Sequence, residues 1–240
     1  MADVLRVSGL SKHYGRLEAV RGIGFSVRAG EVFALIGPNG AGKTTTLRMV
    51  ATILQPSAGA IELDGIDVVS DPASARARLS YLPEEAGAYK SMRGREYLRF
   101  MAEVFFDDRE RQTESLASAA EISGLGDRLD DKIGTYSKGM ARKLLLARAI
   151  MTRPKLAILD EPTSGLDVLG ALDVRDTIKE FTRSGMAVLL SSHNMLEIEY
   201  LSDRVSVIHQ GTIHATGTPA ELKERFGADN LEEVFAEVAR

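Results

Sequence analysis

A glycine-rich segment that ends in lysine and threonine has the residue types needed to bind phosphate. It runs from Gly37 to Thr44 and reads Gly-Pro-Asn-Gly-Ala-Gly-Lys-Thr. Glycine lets the backbone approach a ligand closely, so that several N–H groups can point at one anion. Lys43 can reach the outer phosphates of such a ligand, and the Thr44 hydroxyl can bind Mg²⁺. The segment therefore predicts a phosphate-binding loop.

The residues on either side of this loop indicate how it is positioned. Residues 32–36 form an apolar run typical of a buried strand, and Leu47, Val50, Ala51 and Leu54 share one helical face. A helix that begins at the loop adds partial positive charge where the phosphates would lie. The alternative is a turn that only connects a strand to a helix, but strand, loop and helix together favour phosphate binding.

Two further apolar runs end in residues that could act on a phosphate. Residues 156–159 are followed by Asp160 and Glu161, and residues 187–192 are followed by His193. The C-terminal ends of parallel strands are where α/β sheets bind ligands. There Asp160 could hold Mg²⁺ through water, Glu161 could orient or deprotonate a water, and His193 could donate to a phosphate oxygen. An acidic helix start and a structural histidine are the alternatives, and the nearby phosphate loop favours the catalytic roles.

Two other residues have two interpretations each. Tyr14 lies in a loop before the phosphate-binding segment, where its ring could stack on a base or lie half-buried at a strand edge. Ser137 precedes a helix expected from Ala141 to Met151, and it is a good N-cap candidate. Taken alone, that segment favours the capping role for Ser137.

The composition disfavours several classes of protein. The 30 basic and 34 acidic residues give a net charge of −4, so we expect no general attraction to nucleic acid. The chain has no cysteine, which excludes disulfides and thiolate metal sites and fits a reducing cytoplasm. No apolar run approaches the ~20 residues of a membrane-spanning helix, and the N-terminus lacks the pattern of a secretion signal. We therefore expect any membrane-spanning part to come from another chain.

The apolar pattern divides the chain into strand-rich and helical parts. Residues 5–27 and 61–69 suggest antiparallel strands, and residues 205–215 suggest a final hairpin. Residues 90–151 have a helical period, and residues 231–238 suggest a short amphipathic helix. The predicted packing face of the first inserted helix contains Tyr97, Phe100, Met101, Val104 and Phe105.

In their order along the chain, these motifs resemble the ATP-binding subunit of an ABC transporter. The resemblance covers nearly the whole chain and includes Ser164-Gly165-Leu166-Asp167, a turn that crosses to a second subunit in the family. It implies an α/β fold: a P-loop NTPase (RecA-like) core with an N-terminal antiparallel β-subdomain and an inserted α-helical subdomain. The chain would be a single nucleotide-binding domain, 1–240. Its expected parts are β-subdomain plus core at 1–86 and 152–219, helical signature subdomain at 87–151, and helical tail at 220–240.

The resemblance assigns nucleotide contacts residue by residue. Tyr14 would stack on adenine, and Val20 would pack near it. Tyr136–Met140 lies in the place of the ABC signature, so Ser137 and Gly139 would contact, in trans, the γ-phosphate of a nucleotide held by a second subunit. The other expected contacts, from Walker A and the threonine after it, are Gly37, Pro38, Asn39, Gly40, Ala41, Gly42, Lys43, Thr44 and Thr45.

The resemblance also assigns catalytic and metal-binding groups. Glu161 would be the catalytic carboxylate, His193 would be the switch histidine at the γ-phosphate, and Lys43 would complete the catalytic set. The expected cofactors are ATP and Mg²⁺. The expected ligands of Mg²⁺ are Thr44, Glu84 and Asp160.

The family further implies partners. Two copies, a homodimer, would bind head to tail with ATP between them, and loss of the γ-phosphate on hydrolysis would loosen the dimer. A separate transmembrane permease would carry the cargo, which places the chain at the cytoplasmic face of the cell membrane as a peripheral subunit without nucleic acid. Residues 81–85, 136–140 and 231–235 resemble the ABC-2 exporter group of drug- and sodium-efflux ATPases, so we expect export.

Three positions depart from the family pattern. Lys138 and Met140 replace a glycine and a glutamine of the signature, and Glu84 replaces the usual loop glutamine. A carboxylate only accepts hydrogen bonds, and it repels phosphate more than an amide does. The alternative functions are a soluble ABC ATPase that acts on ribosomes or DNA and a P-loop kinase. A single acidic cassette argues against the first, and the Asp160-Glu161 pair with His193 argues against the second.

Overall fold

The computed structural model describes residues 3–239, which form two β-sheets with helices packed around them. The strands in chain order are β1 (Asp3–Tyr14), β2 (Leu17–Arg28), β3 (Val32–Ile36), β4 (Ala58–Leu63), β5 (Ile66–Asp67), β6 (Leu79–Leu82), β7 (Leu156–Asp160), β8 (Ala187–Ser192), β9 (Arg204–His209) and β10 (Thr212–Gly217). The first sheet has the order β2-β1-β4-β5, and the second has the order β10-β9-β3-β8-β7-β6.

Helices connect and cover these strands. They are α1 (Lys43–Val50), α2 (Pro72–Arg76), α3 (Gly94–Phe105), α4 (Arg109–Ser123), α5 (Lys138–Ile150), α6 (Val168–Arg183), α7 (Met195–Leu201), α8 (Pro219–Phe226) and α9 (Leu231–Val238). Short 3-10 turns at residues 126–130 and 133–135 separate α4 from α5. Within residues 3–239, no helix is both long and apolar enough to cross a membrane.

The second sheet brings the functional strand ends to one edge. β9, β3, β8, β7 and β6 are parallel neighbours, and only β10 runs antiparallel to its partner β9. Every residue of β3, β7 and β8 is buried, as expected for parallel strands with both faces covered. Ile36 pairs with Ser192, and Asp160 pairs with Ser191, so the C-terminal ends of three strands lie side by side.

The hydrophobic core lies on both faces of this sheet. Val32 and Ile36 of β3 point into a cluster shared with the helical insertion and the C-terminal helices. Phe33 and Leu35 point to the opposite face, into a cluster shared with the first sheet and α1. Alternate side chains of one strand thus join the two halves of the core. The subdomain boundaries given above stay a prediction.

The predicted fold class is confirmed, and several elements lie where the sequence placed them. Residues 32–36, 187–192 and 231–238 form β3, β8 and α9. α1 is shorter than its apolar face suggested, because Thr52 takes a positive φ of 62° and the helix ends at Val50. The short helices α2 and α7 were not anticipated from the apolar pattern.

The packing face predicted for α3 is wrong in part. Tyr97 is buried, and so are Leu98 and Ala102, because α3 packs against α4 through these positions. Three of the residues expected to pack are largely exposed: Phe100 at 39%, Val104 at 59% and Phe105 at 44%. Apolar spacing alone could not distinguish the two neighbouring faces of this helix.

Candidate active site

The predicted phosphate loop joins β3 to α1, and its conformation requires glycine. Gly42 caps α1 with φ of 104°, in the left-handed region that other residues avoid. A Cβ atom at this position would lie 2.6 Å from the carbonyl oxygen of Ala19 and 3.2 Å from Val20 Cγ2. The loop is therefore pressed against β2, and Asn39 and Gly40 at its tip are exposed.

Lys43 folds back over its own loop. Its Nζ donates to the carbonyl oxygens of Gly37 at 2.7 Å and Pro38 at 3.2 Å, and the residue is only 6% exposed. Burial lowers the pKa of Lys43, while the negative charges of Glu161, Asp160 and Glu84 act to raise it. An ammonium has three donors, so one remains for a ligand.

Asp160 is the centre of a buried oxygen cluster at the end of β7. Its Oδ1 accepts from Thr44 Oγ1 at 3.3 Å and from Ser191 Oγ, and its Oδ2 accepts from Tyr81 OH at 3.4 Å. Burial and the nearby Asp160 charge raise the pKa of Tyr81, so its hydroxyl stays a donor. Hydroxyl and carboxylate oxygens are the ligands that Mg²⁺ prefers. The donor set of Thr44 and Asp160 therefore fits this ion.

Glu161 and His193 are in contact. His193 Nδ1 lies 2.9 Å from Glu161 Oε1, and the Glu161 side chain is 8% exposed whereas that of His193 is 58% exposed. The Glu161 N–H donates to the carbonyl oxygen of Ser191, which ties the β7 end to β8. Glu161 has a φ of 48°, an uncommon conformation for a non-glycine residue.

A cavity of about 570 Å³ lies beside this pair. Its walls include the predicted crossing turn at residues 164–167 and the start of α7. Thr163 Oγ1 donates to Glu197 Oε2 at 2.6 Å, which links that turn to α7 directly behind His193. Burial raises the pKa of Glu197.

Tyr14 and Val20 lie on the β1–β2 side of the loop in different environments. Val20 is fully buried against Gly42, whereas Tyr14 is 48% exposed at the hairpin end. Lys12 Nζ lies 5.4 Å from the centre of the Tyr14 ring and also donates to the carbonyl oxygen of Gln55. The other face of the Tyr14 ring is therefore the one that could take a base.

The predicted signature residues are separate from the phosphate loop. Ser137 Oγ accepts from the Met140 N–H at 3.2 Å and caps α5, as the structural interpretation predicted. Ser137 is exposed. Among residues 3–239, neither Ser137 nor Gly139 forms a hydrogen bond to the phosphate loop.

The departures from the family pattern have clear positions. Glu84 is exposed, and its carbonyl oxygen accepts from Arg142 at 3.2 Å. The Lys138 ammonium lies against Gly165, because a Cβ atom at Gly165 would come within 1.9 Å of Lys138 Nζ. Lys138 therefore contacts the crossing turn of its own chain.

Sequence reasoning missed three residues of this site: Tyr81, Ser191 and Arg142. Tyr81 and Ser191 lie on the strands that flank β7. Ser191 pairs directly with Asp160, so the register of parallel strands could have indicated it, whereas Tyr81 pairs with Ile158 and reaches Asp160 through its long side chain. Arg142 is 7% exposed, and its place on the same helical face as Leu145, Leu146 and Ala149 was the available signal.

Comparison with known proteins identifies the family. Residues 20–164 match the family described as ABC transporter. The chain belongs to the ABC transporter family. It is an ATP-binding subunit and an ATPase, which confirms the predicted family and enzyme class.

Individual relatives agree with this assignment. The linearmycin resistance ATP-binding protein LnrL of Bacillus subtilis (strain 168) is 36% identical over 228 residues, covering 95% of this chain and 73% of that protein. The daunorubicin/doxorubicin resistance ATP-binding protein DrrA of Streptomyces peucetius is 39% identical over 227 residues, covering 95% of this chain and 69% of that protein. The solved structure of an ATP-binding subunit of an ABC transporter superposes with a TM-score of 0.87 at 31% identity, covering 98% of this chain and 99% of the other. These relatives favour a transporter subunit over a ribosome or DNA ATPase.

Proposed function

We propose that this subunit hydrolyses ATP in a pocket completed by a second copy and that the cycle drives export through a separate membrane subunit. The observation that supports this most is the division of the site. Lys43, Asp160 and Glu161 lie together at one sheet edge. Ser137 is exposed at the start of α5, where its hydroxyl accepts from the N–H of Met140 in its own helix. Ser137 and the phosphate loop share no hydrogen bond within residues 3–239, so the γ-phosphate that the family signature contacts would have to be held by another copy.

The phosphate loop would bind the triphosphate first. The N–H groups at the start of α1 and the Lys43 ammonium supply positive charge, and the exposed Asn39 and Gly40 leave the loop open to a ligand. Tyr14 would stack on the base, because its ring is half-exposed at the same side of the loop. Bound Mg²⁺ would supply charge neutralisation at the phosphates, and Thr44 and Asp160 would hold it, with the exposed Glu84 as a further ligand.

Glu161 and His193 would carry out hydrolysis. Glu161 accepts a proton from water as the water oxygen bonds to the γ-phosphorus and the bond from that phosphorus to the bridging oxygen breaks. ADP and phosphate are the products. His193, held against Glu161 at 2.9 Å, is exposed and can contact the γ-phosphate as well as orient the carboxylate.

The second copy would supply Ser137 and the Gly139 N–H to the γ-phosphate. The N-terminus of α5 carries partial positive charge at this point, which favours an anion. Loss of the γ-phosphate removes the ligand that joins the two copies, so the dimer opens after each turnover. Opening and closing would be transmitted to a membrane permease, with the subunit at the cytoplasmic face of the membrane. The resistance roles in the names of LnrL and DrrA support export as the direction.

The substitution Glu161→Gln tests this proposal. It removes the proton acceptor but preserves shape, so we expect turnover to fall about 10²- to 10⁴-fold while ATP binding persists. With ATP and Mg²⁺, light scattering coupled to gel filtration should show a stable dimer. Glu224→Gln makes the same chemical change at an exposed position on α8 and should behave as the native protein. A Glu161→Gln variant that binds ATP and stays monomeric contradicts the shared pocket.

A further inference from the structure

Arg142 uses every hydrogen-bond donor it has on backbone carbonyls of the active site. Its Nε donates to the oxygen of Pro162 at 2.7 Å. Its Nη1 donates to Pro83 at 3.0 Å and Glu84 at 3.2 Å, and its Nη2 donates to Asp160 and Glu161, both at 2.9 Å. A guanidinium has five N–H donors in a rigid planar fork, so this network leaves none free.

The charge of Arg142 is balanced by the acidic groups of the same site. Burial lowers the pKa of Arg142 to about 10, and the charges of Asp160, Glu84 and Glu161 act in the opposite direction. The group therefore stays a cation at neutral pH. A buried cation without hydrogen-bond partners or opposite charges would strongly destabilise the fold. The five carbonyl oxygens and three nearby carboxylates therefore stabilise Arg142 in its buried position.

The hydrogen bonds of Arg142 join three segments that have different roles in the proposed cycle. Arg142 lies on α5, the helix capped by Ser137. Its carbonyl partners lie on the loop that follows β6 and on the segment formed by the end of β7 and the residues after it. One turn earlier on the same helix face, Lys138 contacts the second of these segments at Gly165. Neither loop can shift relative to α5 without breaking bonds to the guanidinium.

We propose that Arg142 is a positioning residue that sets the location of the Ser137-bearing helix relative to Glu161 and the Glu84 loop. This inference rests on the proposed function, since it concerns the relative position of the two parts of each chain that contribute to the shared pocket. The guanidinium of Arg142 donates to backbone oxygens of these segments and so acts through them. Its loss should leave the phosphate loop and first ATP binding intact while it impairs pocket closure and turnover.

Arg142→Gln and Arg142→Lys test the network, with Lys143→Gln as the matched control. Lys143 is the next residue of α5 and pairs with Asp173, away from both loops. We expect Arg142→Gln to lower kcat about ten- to a hundredfold, the size of effect that a small misplacement of reacting groups produces. KM and the affinity of the monomer for ATP should change little. In a Glu161→Gln background, Arg142→Gln should raise the ATP concentration needed for dimerisation, and Lys143→Gln should not.

Arg142→Lys keeps the proposal falsifiable if Arg142→Gln fails to fold. Lysine retains the charge but offers three donors for five carbonyls. We therefore expect a folded protein with native ATP affinity and a kcat between those of the native protein and Arg142→Gln. Native kcat and dimerisation in Arg142→Lys would overturn the proposal, as would an equal loss of ATP binding and turnover. A Glu161→Gln single variant that stays monomeric would instead overturn the shared pocket. In that case, kcat of the Arg142 variants relative to the native protein would still test the positioning role of Arg142.

Discussion

The sheet edge and the N-terminus of α5 form two contrasting regions of one proposed pocket. At the sheet edge, the polar groups bind each other: Lys43 bonds its own loop, Asp160 accepts from three hydroxyls, and His193 contacts Glu161. At the start of α5, Ser137 and Lys138 are exposed, and the Ser137 hydroxyl accepts from the Met140 N–H of its own helix. The first region is organised before a ligand arrives, and the second has donors in reserve.

This contrast follows from how each region is built. Register between buried parallel strands determines where Asp160 and Ser191 meet, so the sheet edge is fixed by the packing of the whole core. The start of α5 follows a short 3-10 turn, and Arg142 of this helix donates to the carbonyl oxygen of Asp160 at the sheet edge. In the proposed cycle, the sheet edge would hold the nucleotide, and the start of α5 would bind the γ-phosphate held by the other copy. This division would suit a pocket that opens in each cycle.

Lys43→Ala should have the largest effect on ATP binding, because it removes the charged donor of the ordered region. Hydrogen bonds to charged groups contribute about 1.5–3 kcal/mol, so we expect the affinity for ATP to fall about 10- to 150-fold. Folding should be little affected, since the variant also removes a cation whose pKa is lowered by burial. Isothermal titration with ATP and a thermal unfolding scan measure the two quantities.

The control for Lys43→Ala is Lys223→Ala. Lys223 lies on α8 and pairs with Glu199, away from the sheet edge. It should keep native affinity. Equal losses in both variants would mean that overall charge, and not the position of Lys43, determines binding.

Two substitutions of Ser137 separate its capping role from its proposed role in trans. Aspartate caps helices as well as serine does, whereas alanine costs about 1 kcal/mol at such a position. If Ser137 only caps α5, Ser137→Ala should be the more damaging change. If it faces a partner's γ-phosphate, Ser137→Asp should be worse, because a carboxylate repels phosphate. We expect native thermal stability but at least about tenfold slower turnover for Ser137→Asp, from like-charge repulsion.

The reversed order of the two Ser137 variants would contradict the trans role. Thermal stability and turnover measured on the same samples distinguish the two roles. Loss of the helix cap lowers both quantities, whereas repulsion of the γ-phosphate lowers turnover alone. ATP affinity of the monomer should be unchanged in both variants.

The ordered region was largely predictable from the sequence, and the reason is local. The phosphate loop, the Asp160-Glu161 pair and His193 each follow an apolar run of four to six residues that the structure confirms as β3, β7 and β8. Buried parallel strands in one sheet bring such ends together whatever the details of packing. Periodicity and strand ends were therefore enough to group Lys43, Asp160, Glu161 and His193.

The features that depend on long-range packing were not predictable in this way. Arg142 bonds carbonyls about 20 and 60 positions away in sequence, and no local pattern identifies such partners. The buried face of α3 depends on α4, so Leu98 was missed and Phe100 was misplaced.

Tyr14→Ala should have a smaller effect than either Lys43 or Ser137 substitutions. Aromatic stacking contributes about 0.5–1.5 kcal/mol, so we expect ATP affinity to fall about two- to twelvefold. Every base has a π-face, so GTP affinity should fall by a similar factor. Tyr14→Phe keeps the ring and is the control. Native affinity in Tyr14→Ala would support the alternative of a strand-edge tyrosine without contact to a base.

Glu84→Gln should change ATP affinity least of these substitutions. The sign of the change shows whether the Glu84 carboxylate mainly repels phosphate or binds Mg²⁺. The Arg142 contact uses the Glu84 carbonyl, so the substitution should leave the loop in place. If the exposed carboxylate mainly repels phosphate, ATP affinity should rise about two- to fivefold, as expected for a surface charge pair. If it binds Mg²⁺, affinity for ATP with Mg²⁺ should fall while affinity for ATP alone rises. Titrations with and without Mg²⁺, with Glu85→Gln as the neighbouring control, show which sign applies, and no change in either titration would exclude both roles.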